Sequence, residues 1–554
     1  MPSVPLTRCR LILLCSSVGV PIVLSALRFL PFSRYWRSRL RAYLVYPSAW
    51  GRRWLSTIRD THECIPTRGQ LLLVIFMIAI NAVVASTGHF ARLGNDWRLN
   101  DRHGKFIDSL GNRMGVLALA NLPLSFLFAG RNNLLLYLTN WSHITFVILH
   151  RWISYIATTE AIIHSIIYLW TAVSEGKHST WVKVPAWYTG VVGVCSMSLL
   201  IILSTGFIRR RSYEIFLLSH IGISVAVLCG VFYHLYYLTT QYYEGYPLYV
   251  CTTAAIWVFD RLFRIARIVF RKIQKAQITI VDDDYIRVDI PDVNADGHAY
   301  LYFPTLTWRP WESHPFSVAK TTPPLPVSMD PDRPASATVS PSISITSSMS
   351  EKKASTAWAF ASVPIPRTPL TTWTPTSQPS LLYTTDKAPS DPQKRSGITF
   401  YVRTLGGVTR ALRAHRTIPV LVEGSYGKPR NLGAYPTLLC MAGGVGITAV
   451  LPYMHQRAAC GGRRTKLYWG CRSQALADAL ALDVAGCEAV VAVGRRLDCA
   501  DIVQREVDAL PEDEPVAVIV SGPKGMADEV RAAVCAIGRT RRGEIRFLDE
   551  CFGW

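Results

Sequence analysis

Two stretches of the chain each contain a pair of histidines that are fourteen residues apart: Leu149–His164 (LHRWISYIATTEAIIH) and His220–His234 (HIGISVAVLCGVFYH). The first lies within the apolar segment Ile144–Trp170 and the second within Tyr213–Leu238. In an α-helix, fourteen residues return to within about 40° of the same face and rise about 21 Å. Two such helices side by side would present two pairs of facing imidazoles, one pair above the other.

The four histidines predict a metal-binding membrane domain. Ionisable side chains at membrane depth are costly and usually functional. A single histidine in a membrane helix is ordinarily explained by a hydrogen bond to a neighbour, but four at matched spacing suit two stacked haems with histidine on both axial positions. We therefore predict two b haems, one ligated by His150 and His220, the other by His164 and His234.

The composition indicates a membrane protein with further domains. The chain has 554 residues, half of them hydrophobic, and a formal net charge of +21. Its basic residues cluster beside apolar segments, as the positive-inside rule expects, so we exclude a nucleic-acid partner. Thirteen cysteines occur without a CxxC pair, which favours reduced thiols over a disulfide framework or a zinc site.

Seven segments are long enough to span a bilayer, which takes about 20 apolar residues. They are Leu11–Leu30, Gln70–Gly88, Arg113–Ala129, Ile144–Trp170, Ala186–Ile208, Tyr213–Leu238 and Pro247–Phe270. The first also has features of a signal peptide, although topology argues against its cleavage. The arginine-rich loop Pro31–Arg68 should be cytosolic, which places the N-terminus outside and the C-terminal half inside. The His150–His220 pair would then lie near the cytosol.

The second half of the chain changes from helical runs to the alternation of β-strands. We expect strands at Ala276–Val281, Asp284–Ile290, His298–Phe303, Ile398–Thr404 and Ile418–Glu423. Residues 321–395 are rich in Pro, Ser and Thr and predict a disordered insertion that splits a small antiparallel barrel. Its removal should leave the barrel intact, and a phosphorylated regulatory segment is the alternative to a tolerated loop.

From Tyr435 onward, strands and helices alternate, as in a doubly wound parallel sheet. The expected strands are Thr437–Ala442, Lys466–Gly470, Ala489–Val493, Val516–Ser521 and Ile545–Leu548. A glycine-rich turn, Gly443–Thr448, follows the first of them, where backbone amides and a helix N-terminus can approach a diphosphate. Such a turn alone is weak evidence for nucleotide binding.

In sequence, the chain resembles the fungal ferric and cupric reductases, within the superfamily of ferric reductases and NADPH oxidases. In the apolar half, the resemblance rests on Leu122-Pro123-Leu124, Ala129–Asn133 and Leu149–Trp152. In the soluble half, the matching motifs are His314–Ser317, Gly406–Thr409, Val422–Gly427, Gly443–Thr448 and the terminal Phe552-Gly553-Trp554. The order of these motifs carries more weight than any one of them.

The resemblance implies the fold class: a multi-span α-helical membrane domain with two b haems, followed by a ferredoxin–NADP reductase-like module. That module would combine an antiparallel β-barrel that binds FAD with an α/β Rossmann-like domain that binds NADPH. The implied domains are an N-terminal span with a basic loop (1–68), the haem domain (69–275), the FAD barrel (276–435, with the insertion 321–395) and the NAD(P) domain (436–554).

The same resemblance implies the cofactor-binding residues. Those expected at FAD are His314, Pro315, Phe316, Ser317, Gly406, Gly407, Thr409, Gly424, Tyr426 and Gly427. Those expected at the nicotinamide nucleotide are Gly443, Gly444, Gly446, Thr448, Arg472, Ser521, Gly522 and Pro523. The residues expected at the reacting edge are Ser317, Ser521 and Trp554, whose indole would stack on the flavin. Ser521 departs from the pattern, because the family usually has Cys before Gly-Pro.

The implied activity moves electrons from cytosolic NADPH through FAD and both haems to ferric or cupric chelates outside the membrane. Expected partners are an iron permease or a multicopper oxidase system, and the expected location is the plasma membrane, with the vacuolar membrane as an alternative. An NADPH oxidase that makes superoxide is the first rival. A voltage-gated channel or transporter is the remote one, because Arg261, Arg264 and Arg267 recur every third residue.

Overall fold

Helices dominate the first half of the chain, in a computed structural model that describes residues 3–50, 65–87, 99–239, 245–322, 397–427, 429–458, 464–485 and 487–551. They are α1 (Ser3–Ala26), α2 (Arg34–Leu40), α3 (Arg68–Ser86), α4 (Leu99–Ala129), α5 (Leu134–Thr139), α6 (His143–Ser174), α7 (His178–Trp181), α8 (Pro185–Leu203), α9 (Gly206–Arg211), α10 (Tyr213–Thr239) and α11 (Pro247–Arg271). We call α1 and α3–α11 the helical domain.

Six helices among the described residues are long and apolar enough to cross a membrane. They are Arg10–Phe29, Arg68–Ser86, Phe106–Ala129, His143–Ser174, Pro185–Leu203 and Tyr213–Leu238, in agreement with six of the seven expected spans. The seventh, Pro247–Phe270, forms α11 but is not among them. Its second half carries Asp260 and four arginines, so its sequence is amphipathic and not uniformly apolar.

Local sequence signals fix where the main helices begin. Thr67 and Gln70 form a reciprocal capping box at the start of α3, in which each side chain accepts from the other residue's backbone N–H. The Ser142 hydroxyl accepts from the Thr145 amide at the start of α6. Pro185 opens α8, where its missing N–H costs nothing. The histidine-bearing helix α6 therefore has a defined first residue, His143.

The next domain, which we call the antiparallel domain, is built on seven strands. They are β1 (Gln274–Ile280), β2 (Tyr285–Pro291), β3 (His298–Tyr302), β4 (Ser313–Ser317), β5 (Lys320–Thr322), β6 (Gly397–Arg403) and β7 (Thr417–Tyr426), in the sheet order β4-β3-β7-β1-β2-β6-β5. A short helix, α12 (Gly407–Ala411), connects β6 to β7. The buried side chains of alternate strand residues form one core, which includes Ile286, Val288, Leu301, Phe400 and Val420.

Strand β5 changes the expected start of the insertion. Thr321 and Thr322 belong to β5, and they pair with Ile398 and Gly397 of β6. The expected segment 321–395 otherwise lies outside the described residues. The described residues on either side of this segment, Thr322 and Gly397, are therefore direct neighbours in an antiparallel pair, as the two ends of a hairpin connection are.

The C-terminal part, which we call the parallel domain, contains five parallel strands in the order β10-β9-β8-β11-β12. These are β8 (Thr437–Gly443), β9 (Arg464–Cys471), β10 (Glu488–Val493), β11 (Val516–Ser521) and β12 (Ile545–Asp549). The helices are α13 (Ile447–Ala458), α14 (Gln474–Ala479), α15 (Ala481–Val484), α16 (Cys499–Asp508) and α17 (Lys524–Thr540). Since chain order reverses between β8 and β11, ligands are expected at the carboxyl ends of these two strands.

Residues 34–46, between α1 and α3, pack on the parallel domain. The Arg41 guanidinium donates to the Glu544 carboxylate at 2.6 Å, and the Ser38 hydroxyl accepts from the Ile545 amide at 3.1 Å. Tyr46 lies in the core cluster of the parallel domain, and its hydroxyl accepts from the Phe547 amide. Residues 34–46, which belong to the loop expected to be cytosolic, thus lie on the same side of the helical domain as the C-terminal half.

Candidate functional site

The four predicted histidine ligands form two facing pairs between α6 and α10. The ring centres of His150 and His220 are 6.3 Å apart, and those of His164 and His234 are also 6.3 Å apart. The two rings are inclined by 70° in the first pair and by 83° in the second. The pairs are fourteen residues apart on both helices, so one lies about 21 Å above the other.

Each imidazole is held through Nδ1. His150 Nδ1 donates to the Ser125 carbonyl at 2.8 Å, His164 Nδ1 to the Gly111 carbonyl at 2.8 Å, and His234 Nδ1 to the Ala186 carbonyl at 2.6 Å. A carbonyl only accepts, so these three rings carry their proton on Nδ1 and keep a lone pair on Nε2. The His220 Nδ1 lies 3.1 Å from the Ser204 hydroxyl. Histidines that bind a metal are oriented in this way by the atoms behind them.

Glycines make room for the second pair. A Cβ added at Gly115 on α4 would lie 2.7 Å from His164 Nδ1, and one added at Gly190 on α8 would lie 2.7 Å from His234 Nδ1. The first pair is supported differently, by serines on α4 and after α8. Neighbouring helices thus enclose both pairs. Among the described residues, glycines lie against the rings of the His164–His234 pair and not against those of the His150–His220 pair.

The donor set fits haem. With a metal–nitrogen bond of about 2.0 Å, as in zinc–histidine sites, and roughly 1.1 Å from nitrogen to ring centre, two axial histidines have centres about 6.2 Å apart. Both observed distances agree with that separation. Among the described residues, no group of three or more His, Cys, Asp or Glu could hold a metal ion. Two imidazoles alone suit a metal whose other ligands come from a macrocycle. The ligand assignment itself stays a prediction.

The predicted flavin-lining tetrapeptide His314–Ser317 forms most of strand β4, at one edge of the antiparallel sheet. Ser317 is buried, and the Phe316 ring packs edge-on against Phe400 with centres 6.3 Å apart. The His314 Nε2 lies 3.4 Å from the Glu312 carboxylate, while burial lowers the pKa of His314, so this imidazole favours the neutral form. An edge strand leaves one row of backbone groups unpaired, and such groups are available to a ligand.

The predicted diphosphate-binding turn Gly406–Thr409 leads into α12. Gly407 has a φ of +53°, and no atom would meet a Cβ there within 4 Å, so backbone conformation alone requires glycine. The Thr409 hydroxyl donates to the Gly406 carbonyl and accepts from the Leu405 amide. Thr409 therefore closes the turn on itself, and the exposed glycines leave its backbone open to an incoming group.

The other predicted flavin residues, Gly424, Tyr426 and Gly427, lie where the antiparallel domain meets the helical domain. The Arg271 guanidinium donates to the Gly424 carbonyl, and Arg267 stacks over the Tyr426 ring at 4.7 Å. A Cβ at Gly427 would come 3.2 Å from His298 Nδ1. The structure brings these residues to a different surface from β4, with β3 between them.

The glycine-rich turn after β8 meets the turn after β11, as the strand order requires. A Cβ at Gly446 would lie 2.4 Å from the Ser521 carbonyl, and a Cβ at Gly443 would lie 2.6 Å from the Pro523 ring. Gly444 has a φ of +54°. A Cβ at Gly522 would lie 3.0 Å from the Gly443 backbone. These two predicted nucleotide segments therefore form one site at the carboxyl edge of the sheet.

Two hydroxyls of this site are engaged within the protein. Ser521 is buried and donates to the Glu550 carbonyl at 3.2 Å, and Thr448 donates to the Val445 carbonyl at 2.9 Å. Cys551 lies beside Ser521, since its Sγ accepts from the Gly522 amide at 3.2 Å. Arg472 is exposed at the carboxyl end of β9, next to the same edge. Trp554 lies outside the described residues.

The sequence interpretation missed the groups that support the histidines and the buried carboxylate Glu423. Gly111, Ala186 and Ser125 act through backbone carbonyls, which leave no trace in sequence. Gly115 and Gly190 could have been found, because glycine inside an apolar helix is unfavourable and often marks a close contact. Glu423 was visible as an acidic residue within an alternating apolar strand, where an unpaired charge would be costly.

Comparison with known proteins agrees with the geometry of the histidine pairs. Residues 114–231 match the family model described as "Ferric reductase like transmembrane component". That range includes His150, His164 and His220, and it ends three residues before His234. Over this range the helical domain is similar to the ferric reductase family. The match begins in α4 and ends within α10, so it covers both members of the His150–His220 pair.

Ferric reductases of fungi are among the relatives of this chain. The chain is 31% identical over 264 residues to the "Ferric/cupric reductase transmembrane component 1" of Candida albicans, which covers 46% of this chain and 33% of the relative. It is 28% identical over 323 residues to the "Ferric reductase transmembrane component 3" of Saccharomyces cerevisiae, covering 54% of this chain and 44% of the relative. The chain thus spans less than half the length of these ferric reductases.

Similarity to solved structures is lower. A chain described as "Ferredoxin reductase in carbazole 1,9a-dioxygenase" aligns with 50% of this ferric reductase-like chain and 69% of its own length, at 16% identity and a TM-score of 0.31. At this level the likeness carries no functional information. The architecture of the two soluble domains rests on their own strand order: an antiparallel seven-stranded sheet followed by a parallel five-stranded one.

Proposed function

We propose that this integral membrane protein is a ferric-chelate reductase that moves electrons from cytosolic NADPH, through FAD and two b haems, to ferric or cupric chelates on the far side. The observation that carries the proposal is the pair of facing imidazoles at each of two depths, with ring centres 6.3 Å apart. When bound, NADPH, FAD and haem supply the redox chemistry, and the chain supplies binding, alignment and electrostatics.

The residues of the chain have distinct proposed roles. His150 and His220 would hold the haem nearer the soluble domains, and His164 and His234 the haem farther from them. Nδ1–H donation to Ser125, Gly111 and Ala186 fixes the ring orientation and raises the basicity of Nε2. When bound, the haems would supply one-electron transfer, and His164 and His234 would hold the haem nearer the acceptor.

The soluble domains are proposed to hold the two-electron partners. His314–Ser317 on β4 and Gly406–Thr409 before α12 would bind FAD, and Gly443–Thr448 with Ser521–Pro523 would bind the nicotinamide nucleotide. Arg472, exposed beside that site, would pair with the ribose phosphate that distinguishes NADPH from NADH. The similarity to the Candida albicans and Saccharomyces cerevisiae reductases supports iron or copper as the acceptor. As the resemblance in sequence implies, an iron permease or multicopper oxidase system would receive the product, at the plasma or vacuolar membrane.

The test is an anaerobic haem spectrum of the purified protein with FAD. The reduced bands should appear when NADPH is added and disappear when a ferric chelate follows. Bands that persist until air is admitted would instead indicate oxygen as the acceptor and an NADPH oxidase. Folded protein without any haem band would contradict the proposal at its base.

A further inference from the structure

Three arginines of α11 contact one short segment of the antiparallel domain, Val422–Gly427. Arg264 Nε lies 3.1 Å from Glu423 Oε1, and Arg267 donates to the Ser425 carbonyl at 3.0 Å. Arg271 donates to the Gly424 carbonyl. Positions three and four apart share a helix face, so one face of α11 provides all three contacts. Two of the three arginines whose spacing resembles a voltage sensor, Arg264 and Arg267, thus belong to an interface between domains.

Glu423 is the centre of this interface. Its side chain is fully buried, and a second arginine from the helical domain, Arg131, reaches the same Oε1 at 3.5 Å. The hydroxyls of Tyr302 and Tyr426 also donate to the carboxylate, the latter at 2.6 Å. A buried carboxylate is tolerated only when it is paired and hydrogen-bonded. Here the positive partners come from the helical domain and the carboxylate from the antiparallel domain, so neither side is satisfied without the other.

Arg131 is itself positioned from two directions. Its guanidinium lies over the Tyr300 ring, 3.7 Å from the ring centre. The next residue, Asn132, donates its backbone N–H to the Asp260 carboxylate at 2.9 Å, which ties the turn after α4 to α11. Arg131 and Arg264 therefore approach Glu423 from two elements that are joined to each other. We call Arg131, Arg264 and Glu423 the interdomain clamp.

The clamp lies between the two candidate redox sites. Tyr300 on β3 pairs with Glu423 on one side and with Pro315 of the predicted flavin-lining strand on the other. Strands are spaced about 4.8 Å apart, so the clamp is about two strand spacings, roughly 10 Å, from β4. On the opposite side, His150 lies seven residues, or about 10 Å, inside the start of α6. Any movement at the clamp would change the position of β4 relative to the His150–His220 pair.

We infer that the interdomain clamp sets the gap between the flavin and the nearer haem, with Glu423 as its central positioning residue. This inference rests on the proposed function, since it presumes that both cofactors bind. Loss of the clamp should slow the transfer of electrons from the flavin to the haem while hydride transfer from NADPH to the flavin continues. The reason is that the flavin and nucleotide sites lie together in the soluble domains, whereas the clamp joins those domains to the helices.

The experiment is anaerobic stopped flow on the full-length protein loaded with FAD and haem, recording flavin bleaching and haem reduction after NADPH is added. Glu423→Gln keeps the shape of the side chain and removes its charge. We expect flavin bleaching within about twofold of wild type and haem reduction slowed about tenfold or more, since displacements of about 1 Å can cost as much as 100-fold. Arg287→Gln is the matched control, because it removes one charge from the antiparallel domain at an exposed residue whose ion pair is with Asp289 on the same strand.

The possible outcomes are separable. Equal slowing of both phases, or no slowing of either, would overturn the positioning role. If Glu423→Gln does not assemble with both cofactors, Arg264→Lys is measured instead, since it keeps the charge and loses the planar fork, and the same split of phases is expected. A wild type that bleaches its flavin without reducing haem would overturn the proposed function, and this inference with it.

Discussion

Gly190→Ala is the sharpest test of the histidine pairs, because it perturbs one predicted ligand without touching its chemistry. The new Cβ would lie 2.7 Å from His234 Nδ1, about 0.7 Å inside the 3.4 Å at which ordinary van der Waals contact begins. The neighbour is a ring atom, already fixed by its 2.6 Å hydrogen bond to the Ala186 carbonyl. Relieving such an overlap in a packed interior costs roughly 1–3 kcal/mol.

The imidazole can escape only by moving away from α8, which stretches its bond to Ala186 and changes how Nε2 faces His164. We therefore expect Gly190→Ala to lower the affinity for the second haem or to shift its midpoint potential, while the haem at His150 and His220 is unchanged. Gly115→Ala, with the same 2.7 Å approach to His164 Nδ1, should give the same selective result.

The assay is a haem-to-protein ratio with an anaerobic redox titration of the two haems. Gly222→Ala is the matched control: it lies on α10, two residues after His220, and a Cβ there would meet no atom within 4 Å. It should retain both haems, since alanine is the better helix former. Two haems with wild-type potentials in both Gly115→Ala and Gly190→Ala would refute the placement of the second pair.

Four further predictions follow from named contacts. Arg472→Ala should raise KM for NADPH about tenfold and leave KM for NADH unchanged, because only NADPH carries the ribose phosphate that the guanidinium would pair with; equal change for both nucleotides in steady-state assays would contradict this role. Replacing residues 323–396 by a short turn should leave FAD content and melting temperature unchanged, since Thr322 and Gly397 are paired neighbours; loss of FAD would show that the segment belongs to the fold. Arg41→Ala should weaken the attachment of residues 34–46 to the parallel domain by roughly 2 kcal/mol, because it removes the 2.6 Å bond between Arg41 and Glu544. The measurement is limited proteolysis, in which residues 34–46 should be cleaved faster in Arg41→Ala than in the control variant Arg34→Ala. Burial alone would raise the pKa of Glu423, but Arg264 and Arg131 outweigh it and hold this pKa below its ordinary 4.5. The clamp should therefore be fully formed above pH 4.5 and lost as the pH falls below it, which should appear as an acid-dependent loss of heat stability. This loss should be absent in Glu423→Gln, and an unchanged acid transition in that variant would exclude Glu423 as its source.

Local periodicity was enough to predict five of the seven strands of the antiparallel domain and all five of the parallel domain, because their side chains alternate or form short apolar runs between turns. No strand was predicted at β4 or β5, which are short and, in β4, contain Pro315. Val516–Ser521, for example, is a strand with the predicted bounds. The facing of the histidines also follows from spacing, since 3.6 residues per turn fixes which residues share a helix face. The order of the parallel strands follows less directly, from the rule that right-handed crossovers place the first strand at the centre.

Other features depend on contacts that no local pattern contains. The Arg264 contact with Glu423 spans 159 positions, and the Arg41 contact with Glu544 spans 503. In sequence, Val422–Gly427 has the form of a strand with a glycine turn, which fits a flavin site and an interface equally well. The packing of α11 against β7 shows the interface, and the flavin role of Gly424, Tyr426 and Gly427 stays a prediction. Backbone acceptors such as the Gly111 and Ala186 carbonyls are equally invisible, because every residue carries one.

The contacts with the soluble domains also settle how the helices must run. α6 and α10 both start beside the antiparallel domain: Glu214, at the first turn of α10, lies within electrostatic reach of Glu312 and Arg309, and His143, at the first position of α6, lies within reach of His298. α10 therefore runs away from the soluble side, yet the chain is back on that side when β1 follows α11. α11 must make the return crossing, although its composition excludes it from the six apolar spans. The reason for its charges is then clear: Asp260, Arg264, Arg267 and Arg271 occupy the end that meets Asn132 and the Val422–Gly427 segment. A last helix that both crosses the bilayer and holds the domain that follows it has to be amphipathic. Because α6 and α10 run away from the soluble domains, the His164–His234 pair lies at the opposite face, where an external acceptor would arrive.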